Sequence, residues 1–119
     1  MKRYQVESYV TEDGEAPIQL WLEQLKDRTA QTKIYARLDR ASYGNFGDWK
    51  KLKDVKEIFE MREHYGQGYR LYYTIVEQTI VLLLAGSSKQ DQNRQSRRHR
   101  TIWPIINGGQ NHDCTQQAI

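Results

Sequence analysis

The chain has little of what marks secreted, membrane-spanning or disulfide-stabilised proteins. It has one cysteine, Cys114, among 119 residues, so no internal disulfide can form. The longest apolar run, residues 80–85, is far shorter than the roughly 20 residues that span a bilayer. The basic residues near the amino terminus are not followed by the apolar segment of a signal peptide. These absences predict a soluble protein of a reducing cytoplasm, with no membrane partner.

Size and charge narrow the class of protein further. A chain of 119 residues has room for one hydrophobic core, so we expect a single folded domain. Eighteen Lys and Arg against fifteen Asp and Glu give a net charge of +3, which favours an anionic partner only weakly because many unrelated domains are equally basic. Neither an internal repeat nor a phosphate-binding loop or dinucleotide motif is present.

The first 43 residues predict a strand followed by a helical hairpin. Residues 4–10 alternate and are rich in aromatic and β-branched side chains, which is typical of a half-buried strand. Pro17 suits a first helical turn, and we expect that helix to run to about Lys26. A second helix is expected to end before Gly44, with Arg37 away from its apolar face. The apolar residues at helical spacing are Ile18, Trp21, Leu22 and Leu25, then Ala30, Ile34, Leu38 and Ala41.

The pattern then changes to short strands separated by glycine and polar turns. Strands are predicted at residues 49–53, 58–62, 69–76 and 79–84. The short turns predict that the last three form an antiparallel meander, and the wholly apolar residues 81–84 predict a central strand. We therefore expect an α+β domain: an N-terminal strand and a two-helix hairpin packed on one face of a mainly antiparallel sheet of three to four further strands.

The C-terminal residues have a different composition. After Gly86 the chain is dominated by Ser, Gln, Asn, Asp and Arg with little apolar periodicity. We therefore divide the chain into a domain at residues 1–92 and a polar tail at residues 93–119, which is predicted to be irregular.

Cationic residues gather around the meander and form the first candidate site. They are Lys50, Lys51, Lys53, Arg62, Arg70 and Lys89. Strand alternation predicts that Arg62 and Arg70 face each other across a hairpin, where they could share a phosphate. The planar fork of arginine donates two parallel hydrogen bonds to phosphate oxygens. Solvated charges that protect strand edges from aggregation explain the same pattern, and both interpretations stay open.

Aromatic residues lie among these cations. Tyr65, Tyr69, Tyr72 and Tyr73 could offer ring faces on which unpaired RNA bases stack. Tyrosines on one face of a strand more often cover the core, so this alternative stays open for each of them.

The groups that could move protons are a histidine and several carboxylates. Of the three histidines, only His64 lies near the basic cluster. Glu57, Glu60 and Glu63 are further candidates, although salt bridges to neighbouring cations are the commoner role of such residues. Neither the lone cysteine nor the histidines have the spacing of metal ligands, so we expect no metal and no cofactor. The identity of a general base stays open.

An ordered series of motifs resembles a known family. The motifs are Gly44-Asn45-Phe46-Gly47-Asp48 with Trp49-Lys50-Lys51-Leu52, then Glu60-Met61-Arg62, then Gly66-Gln67-Gly68-Tyr69-Arg70-Leu71-Tyr72-Tyr73. Over about residues 4–92 the chain resembles the addiction-module killer or phage-derived toxin-like proteins of the RelE/HigB superfamily. The resemblance implies a compact α+β toxin that cleaves messenger RNA, commonly on the ribosome. It also implies a cognate antitoxin, often of the helix-turn-helix type.

The same resemblance assigns expected roles to individual residues. Arg62, Arg70 and Lys89 match the family's phosphate-binding and catalytic positions. The expected RNA-binding residues are Lys51, Lys53, Tyr69 and Tyr72. In such enzymes the 2′-hydroxyl of the substrate attacks the adjacent phosphate without a metal, and the protein orients the RNA, stabilises charge and assists proton transfer.

The tail departs from the family, which usually continues into an amphipathic helix. The codons for residues 107–113 can contain a ribosome-binding site followed by an ATG, which suggests a tail read in another frame and an antitoxin encoded downstream. The alternative to an active toxin is therefore a catalytically impaired homologue that only binds antitoxin or RNA. A purely structural protein is a third possibility, but it would leave Arg62, Arg70 and Lys89 without a role.

Overall fold

The computed structural model describes residues 2–53 and 55–88, together with the backbone of residues 115–118. The elements, in chain order, are β1 (Gln5–Val10), α1 (Pro17–Gln24), α2 (Arg28–Ser42), β2 (Trp49–Lys51), β3 (Phe59–Glu63), β4 (Tyr69–Val76), β5 (Ile80–Ser88) and β6 (Thr115–Ala118). The strands form one mixed sheet in the order β2-β3-β4-β5-β1-β6. The α+β prediction is confirmed.

The pairing of the strands matches the predicted meander. Strands β3, β4 and β5 are consecutive antiparallel neighbours, and β5 lies between β4 and β1 in the middle of the sheet. Strand β1 runs parallel to β5, and the connection between them contains the helical hairpin, which leads to edge strand β2, and then β3 and β4. Because β5 is covered on both faces, its apolar residues 81–84 are buried without alternation.

Local contacts and backbone geometry determine where α1 ends and α2 begins. Asp27 accepts hydrogen bonds from the backbone N–H groups of Thr29 and Ala30, at 3.0 and 3.2 Å, and so caps α2. Such a cap is worth about 1 kcal/mol. Leu25 has an extended backbone, with ψ of 122°. Helix α1 therefore ends at Gln24, two residues before the predicted Lys26.

Both helices pack on one face of the sheet. The main core lies between them and the sheet, and its largest fully buried members include Ile18, Leu22, Ile34 and Leu83. The ring of Trp21 on α1 packs directly against the backbone of Gly86 on β5. A Cβ at position 86 would lie only 2.3 Å from this ring, so a side chain there would clash. The helix-free face of the sheet holds a second, smaller core of Tyr9, Leu52, Ile58, Tyr72, Leu82, Leu84 and Ala85.

The tail differs in part from its prediction. Thr115–Ala118 pairs antiparallel with β1 as an outer strand, so these residues are not irregular. The sheet accordingly has five strands besides β1 rather than three or four. Residues 93–114, which include the proposed change of reading frame, lie outside the described residues, and so does Lys89. Neither helix in the described ranges has the length and apolar character needed to cross a bilayer.

One buried arginine ties α2 to the sheet. The Arg37 guanidinium donates hydrogen bonds to the carbonyl oxygens of Arg62 (2.6 Å), Phe46 (3.0 Å) and Asp48 (3.3 Å). Its Nη1 also lies 3.6 Å from Glu63 Oε1. The expectation that Arg37 lies away from the core is wrong, because the loop before β2 has carbonyls that need a buried donor.

The loop can approach Arg37 only because Gly47 lacks a side chain. Gly47 has φ of +61°, and a Cβ there would lie 2.9 Å from Arg37 Nη2. A residue with a side chain would suffer both backbone strain and a clash with the guanidinium. The glycine of the Gly47-Asp48 motif therefore has a structural role in setting the position of the next residue.

We expect Arg37→Met to destabilise the protein by about 3 kcal/mol, because three backbone carbonyls lose their donor while the aliphatic volume is kept. The measurement is urea unfolding followed by circular dichroism at pH 7. Arg40→Met, on an exposed position of the same helix, serves as the control and should change stability by less than about 0.5 kcal/mol. Equal effects of the two substitutions would contradict the role assigned to Arg37.

Candidate functional site

The candidate site lies at the end of the β3–β4 hairpin, on the helix-free face of the sheet. Arg62 and Arg70 are direct register partners across the two strands. Directly opposed residues have their side chains on the same face, so Arg62 and Arg70 share a face of the sheet, as the alternation predicts. Two positions along the strands, Glu60 is the register partner of Tyr72, and these two side chains lie on the same face as the arginines.

Arg70 is engaged by a carboxylate in the free protein. Its Nη1 donates to Glu60 Oε1, and each of the two side chains is only 7% exposed. Removing such a pair from water is costly, and its charges compensate each other only while both are present. The Nε of Arg70 is buried and has no hydrogen-bond partner within the described part of the chain. Arg70 is therefore a buried, paired cation rather than an open phosphate ligand.

Arg62 is more accessible and belongs to a three-residue cluster. Asp48 accepts from Arg62 Nη2 at 2.9 Å through one oxygen and lies 2.5 Å from His64 Nε2 through the other. The hydrogen bond from His64, followed by the hydrogen bond and charge of Arg62, holds the pKa of Asp48 below its ordinary value. Asp48 is 39% exposed, so solvent screens these interactions.

A small cavity of about 70 Å³ lies under the turn between the two strands. Its lining includes Arg62, His64, Gly66, Gly68 and Arg70. It is much smaller than typical small-molecule pockets, which measure roughly 300–1,000 Å³. The cavity has room for a small anionic group such as part of a phosphate, with two arginines at its wall.

The lysines of the sequence cluster divide between the two faces. Lys50 is the register partner of Glu60, so it shares the face of Arg62 and Arg70. Lys51 is the partner of Phe59 and lies toward the opposite face, and Lys53 follows in an exposed loop. Edge strand β2 thus brings Lys50, rather than Lys51, to the arginines.

The tyrosines expected to stack on bases are not available at the surface. Tyr69 is 3% exposed and packs edge-on against Trp21 on the helix-bearing face, with ring centroids 6.0 Å apart. Tyr72 is fully buried on the other face, and its hydroxyl lies 3.3 Å from Ser87 Oγ. The prediction of base stacking for Tyr69 and Tyr72 is wrong, because both rings are covered by the cores of the two faces.

An exposed aromatic residue on edge strand β2 was missed from the sequence; as the register partner of Met61 it lies on the face opposite to Arg62 and Arg70. Trp49 begins β2 and is 49% exposed, with one edge against Phe59 at 5.8 Å between ring centroids. It lies between Asp48 and Lys50 in the chain. A tryptophan at the start of a short basic strand was the available signal, but only the sheet order shows that this strand is an edge.

Within residues 2–53 and 55–88, no three His, Cys, Asp or Glu side chains lie close enough together to hold a metal ion. The cluster of Asp48, Arg62 and His64 contains a single carboxylate, which is already hydrogen-bonded through both oxygens. Its chemistry is that of anion binding and proton transfer.

Comparisons with known proteins agree with the sequence motifs. A family model described as "Phage derived protein Gp49-like" matches residues 20–102. A protein of Haemophilus influenzae, described as an uncharacterized protein, is 40% identical over 82 residues, which are 69% of this chain and 81% of that protein. No solved structure matches the chain.

The lowered pKa of Asp48 predicts how stability depends on pH. A carboxyl whose pKa falls below its ordinary value of 3.8 on folding stabilises the fold above that pH and stops doing so as pH falls through the folded value. We therefore expect Asp48→Asn to lower the melting temperature at pH 7. The difference from the unsubstituted protein should shrink between about pH 5 and pH 2.

Asp39→Asn, at an exposed position of α2, is the matched control for thermal unfolding across this pH range. A difference between Asp48→Asn and the unsubstituted protein that stays constant down to pH 2 would contradict the assignment.

Proposed function

Because the chain belongs to the Gp49-like family of phage-derived proteins, we propose that it is an mRNA-cleaving toxin of the RelE/HigB kind, paired with an antitoxin. The observation that carries this proposal is the juxtaposition of Arg62 and Arg70 across β3 and β4, beside a small cavity and Lys50. Adjacent cations at a cavity suit a phosphodiester. Toxins of this kind act on mRNA in the cytoplasm, often at the ribosome.

The proposed reaction is attack of the RNA 2′-hydroxyl on the adjacent phosphate. Since the nucleophile is part of the substrate, the reaction as proposed needs no metal. Negative charge builds up on the phosphorane oxygens, and preorganised donors that point there lower the barrier most. Arg62 is the accessible donor, and Arg70, paired with Glu60, borders the same cavity. Lys89 remains a proposed contributor, and Lys51 and Lys53 are proposed to attract the RNA backbone.

Carboxylates occupy both arginines in the RNA-free protein. Asp48 binds Arg62 and Glu60 binds Arg70. An incoming phosphate competes with Asp48 for Arg62, which is partly exposed, and leaves the buried pair intact. The RNA is therefore proposed to contact Arg62 directly, with Arg70 held beside it in its pair with Glu60.

We assign base stacking to Trp49. Its ring is half exposed, rests on Phe59 and shares its face of the edge strand with Lys51. Single-stranded RNA is bound where aromatic faces accompany positive charge. Because Trp49 and Arg62 lie on opposite faces, RNA bound to both would cross the edge of the sheet at β2.

One observation favours a second function, a homologue that binds antitoxin or RNA without cleaving it. Arg70 is buried in its pair with Glu60, so one of the two expected phosphate ligands is not free. In that case the chain would fold, bind a helix-turn-helix antitoxin and leave mRNA intact. Expression of the chain separates the two functions.

We expect induced expression of the chain in a bacterium to arrest growth and to produce new 5′ ends in cellular mRNA. Arg62→Gln should abolish both effects, because removing one donor to the reacting phosphate costs about 10²-fold or more in rate. Arg70 is tested in the double variant Glu60→Gln/Arg70→Gln, which avoids an unpaired buried charge.

Arg40→Gln, an exposed substitution on α2, should keep both effects. Growth without new mRNA ends, from a soluble and folded chain, would contradict the nuclease and favour the binding-only homologue.

For Trp49 we expect Trp49→Leu to weaken binding of single-stranded RNA by about 1–3 kcal/mol, the usual worth of one stacked base. Trp49→Phe should retain most of the affinity because it keeps a ring face. The measurement is fluorescence anisotropy with a labelled oligonucleotide whose 2′-O-methyl groups prevent cleavage.

Tyr35→Leu removes an aromatic side chain of similar exposure on α2 and should leave RNA affinity unchanged. If Trp49→Leu and Tyr35→Leu bind RNA equally well, Trp49 is not a stacking platform.

A further inference from the structure

We propose that His64 is the general base of the reaction and that Asp48 is the residue that positions it. This inference rests on the proposed RNA cleavage and adds the group that removes the proton from the 2′-hydroxyl. The geometry that carries it is the chain of contacts from Arg62 through Asp48 to His64 at the rim of the small cavity.

The imidazole is held by one nitrogen and open at the other. His64 Nε2 lies 2.5 Å from Asp48 Oδ2, so this nitrogen carries the proton that the carboxylate accepts. The side chain is 68% exposed, and its Nδ1 has no hydrogen-bond partner within the described part of the chain. A neutral imidazole with a protonated Nε2 has a free electron pair on Nδ1. That nitrogen can accept a proton from a substrate bound at the cavity.

Asp48 is well placed to orient the ring because it is itself fixed. Its second oxygen binds Arg62 Nη2, and its carbonyl oxygen accepts from the Arg62 backbone N–H at 2.8 Å and from Arg37. A carboxylate on one imidazole nitrogen selects the tautomer and stabilises the imidazolium that forms when the other nitrogen takes a proton. The contacts of its backbone carbonyl do not depend on the carboxylate, so Asp48 can still orient His64 when a phosphate takes its place on Arg62.

The other carboxylates near the site are engaged elsewhere. Glu60 is buried in its pair with Arg70 on β4. Glu63 lies close to Arg37 through one oxygen and accepts from the Tyr65 backbone N–H at 3.0 Å through the other. The charged groups that border His64 are therefore Asp48 from the loop before β2 and, around the cavity, Arg62, Glu63 and Arg70. Of the ionisable residues around the cavity, His64 is exposed, and its Nδ1 has no hydrogen-bond partner within the described ranges.

The proton balance of the reaction closes when water protonates the leaving oxygen. His64 Nδ1 takes the proton from the 2′-hydroxyl, and the 2′-oxygen forms a bond to phosphorus. The bond between phosphorus and the 5′-oxygen breaks, and the leaving oxygen takes a proton from water. The hydroxide so formed is neutralised by the proton on His64. The products are a 2′,3′-cyclic phosphate and a 5′-hydroxyl end.

The first test is single-turnover cleavage of mRNA in a cell-free translation reaction with the full chain. We expect His64→Gln to lower the cleavage rate by about 10²–10⁴-fold, the usual contribution of a general base. Glutamine can still donate to Asp48, so folding and affinity for 2′-O-methyl RNA should stay within about threefold of the unsubstituted protein. The new RNA ends should carry a cyclic phosphate and a 5′-hydroxyl.

A second variant separates chemistry from structure. His64→Ala should lose activity and regain part of it when imidazole is added to the reaction, which a structural defect would not do. Asp48→Asn should lower the cleavage rate with little change in RNA affinity, and it should have almost no further effect in the His64→Gln background. Asp39→Asn is the carboxylate control and should be fully active.

The outcomes distinguish the two proposals. If the unsubstituted chain cleaves RNA and His64→Gln cleaves at the same rate, the assignment of His64 is overturned while the nuclease function stands. Absence of imidazole rescue in a folded His64→Ala protein would also count against it. If the unsubstituted chain does not cleave mRNA with or without ribosomes, both proposals fail.

Discussion

The guanidinium of Arg37 is the contact on which the arrangement of the site depends. It projects from α2 into the junction of the loop before β2 with β3, and it binds carbonyl oxygens of both segments. A carbonyl buried without a donor costs about 1–3 kcal/mol, so the loop has little freedom to leave this position. Gly47 makes the close approach possible. Through this one side chain, the helical hairpin determines where Asp48 lies relative to Arg62.

The other contacts of the site depend on the position of Asp48. Asp48 connects Arg62 to His64, whereas Glu60 neutralises Arg70 inside the sheet. The two ion pairs differ in their physical character. The pair of Arg62 and Asp48 is partly solvated and can exchange for another anion at modest cost, but the buried pair of Arg70 and Glu60 cannot be broken without leaving a charge uncompensated. Of the two arginines on this face, Arg62 can therefore exchange its partner, whereas Arg70 is structural.

Much of the fold could be predicted from the sequence because its signals are local. The spacing of Ile34 and Leu38, the proline at the start of α1 and the wholly apolar stretch of β5 each depend on a few neighbouring residues. The opposition of Arg62 and Arg70 was also predictable, since a short turn and strand alternation define the register of a hairpin. The pairing of β6 with β1 was not, because its four residues, three of them polar, carry no periodic signal and their partner lies more than 100 residues away.

The sequence by itself determined the order of the elements from β1 to β5, the α+β class and the identity of the charged residues on the hairpin, because periodicity and turns act over a few residues. Only the tertiary structure decided which of the candidate side chains are exposed and which are buried. Tyr69 and Tyr72 are buried because both faces of the sheet are covered, Arg37 is buried because a distant loop needs a donor, and Trp49 is exposed because β2 is an edge. Burial and charge pairing depend on contacts between segments far apart in the chain, and no local pattern encodes them.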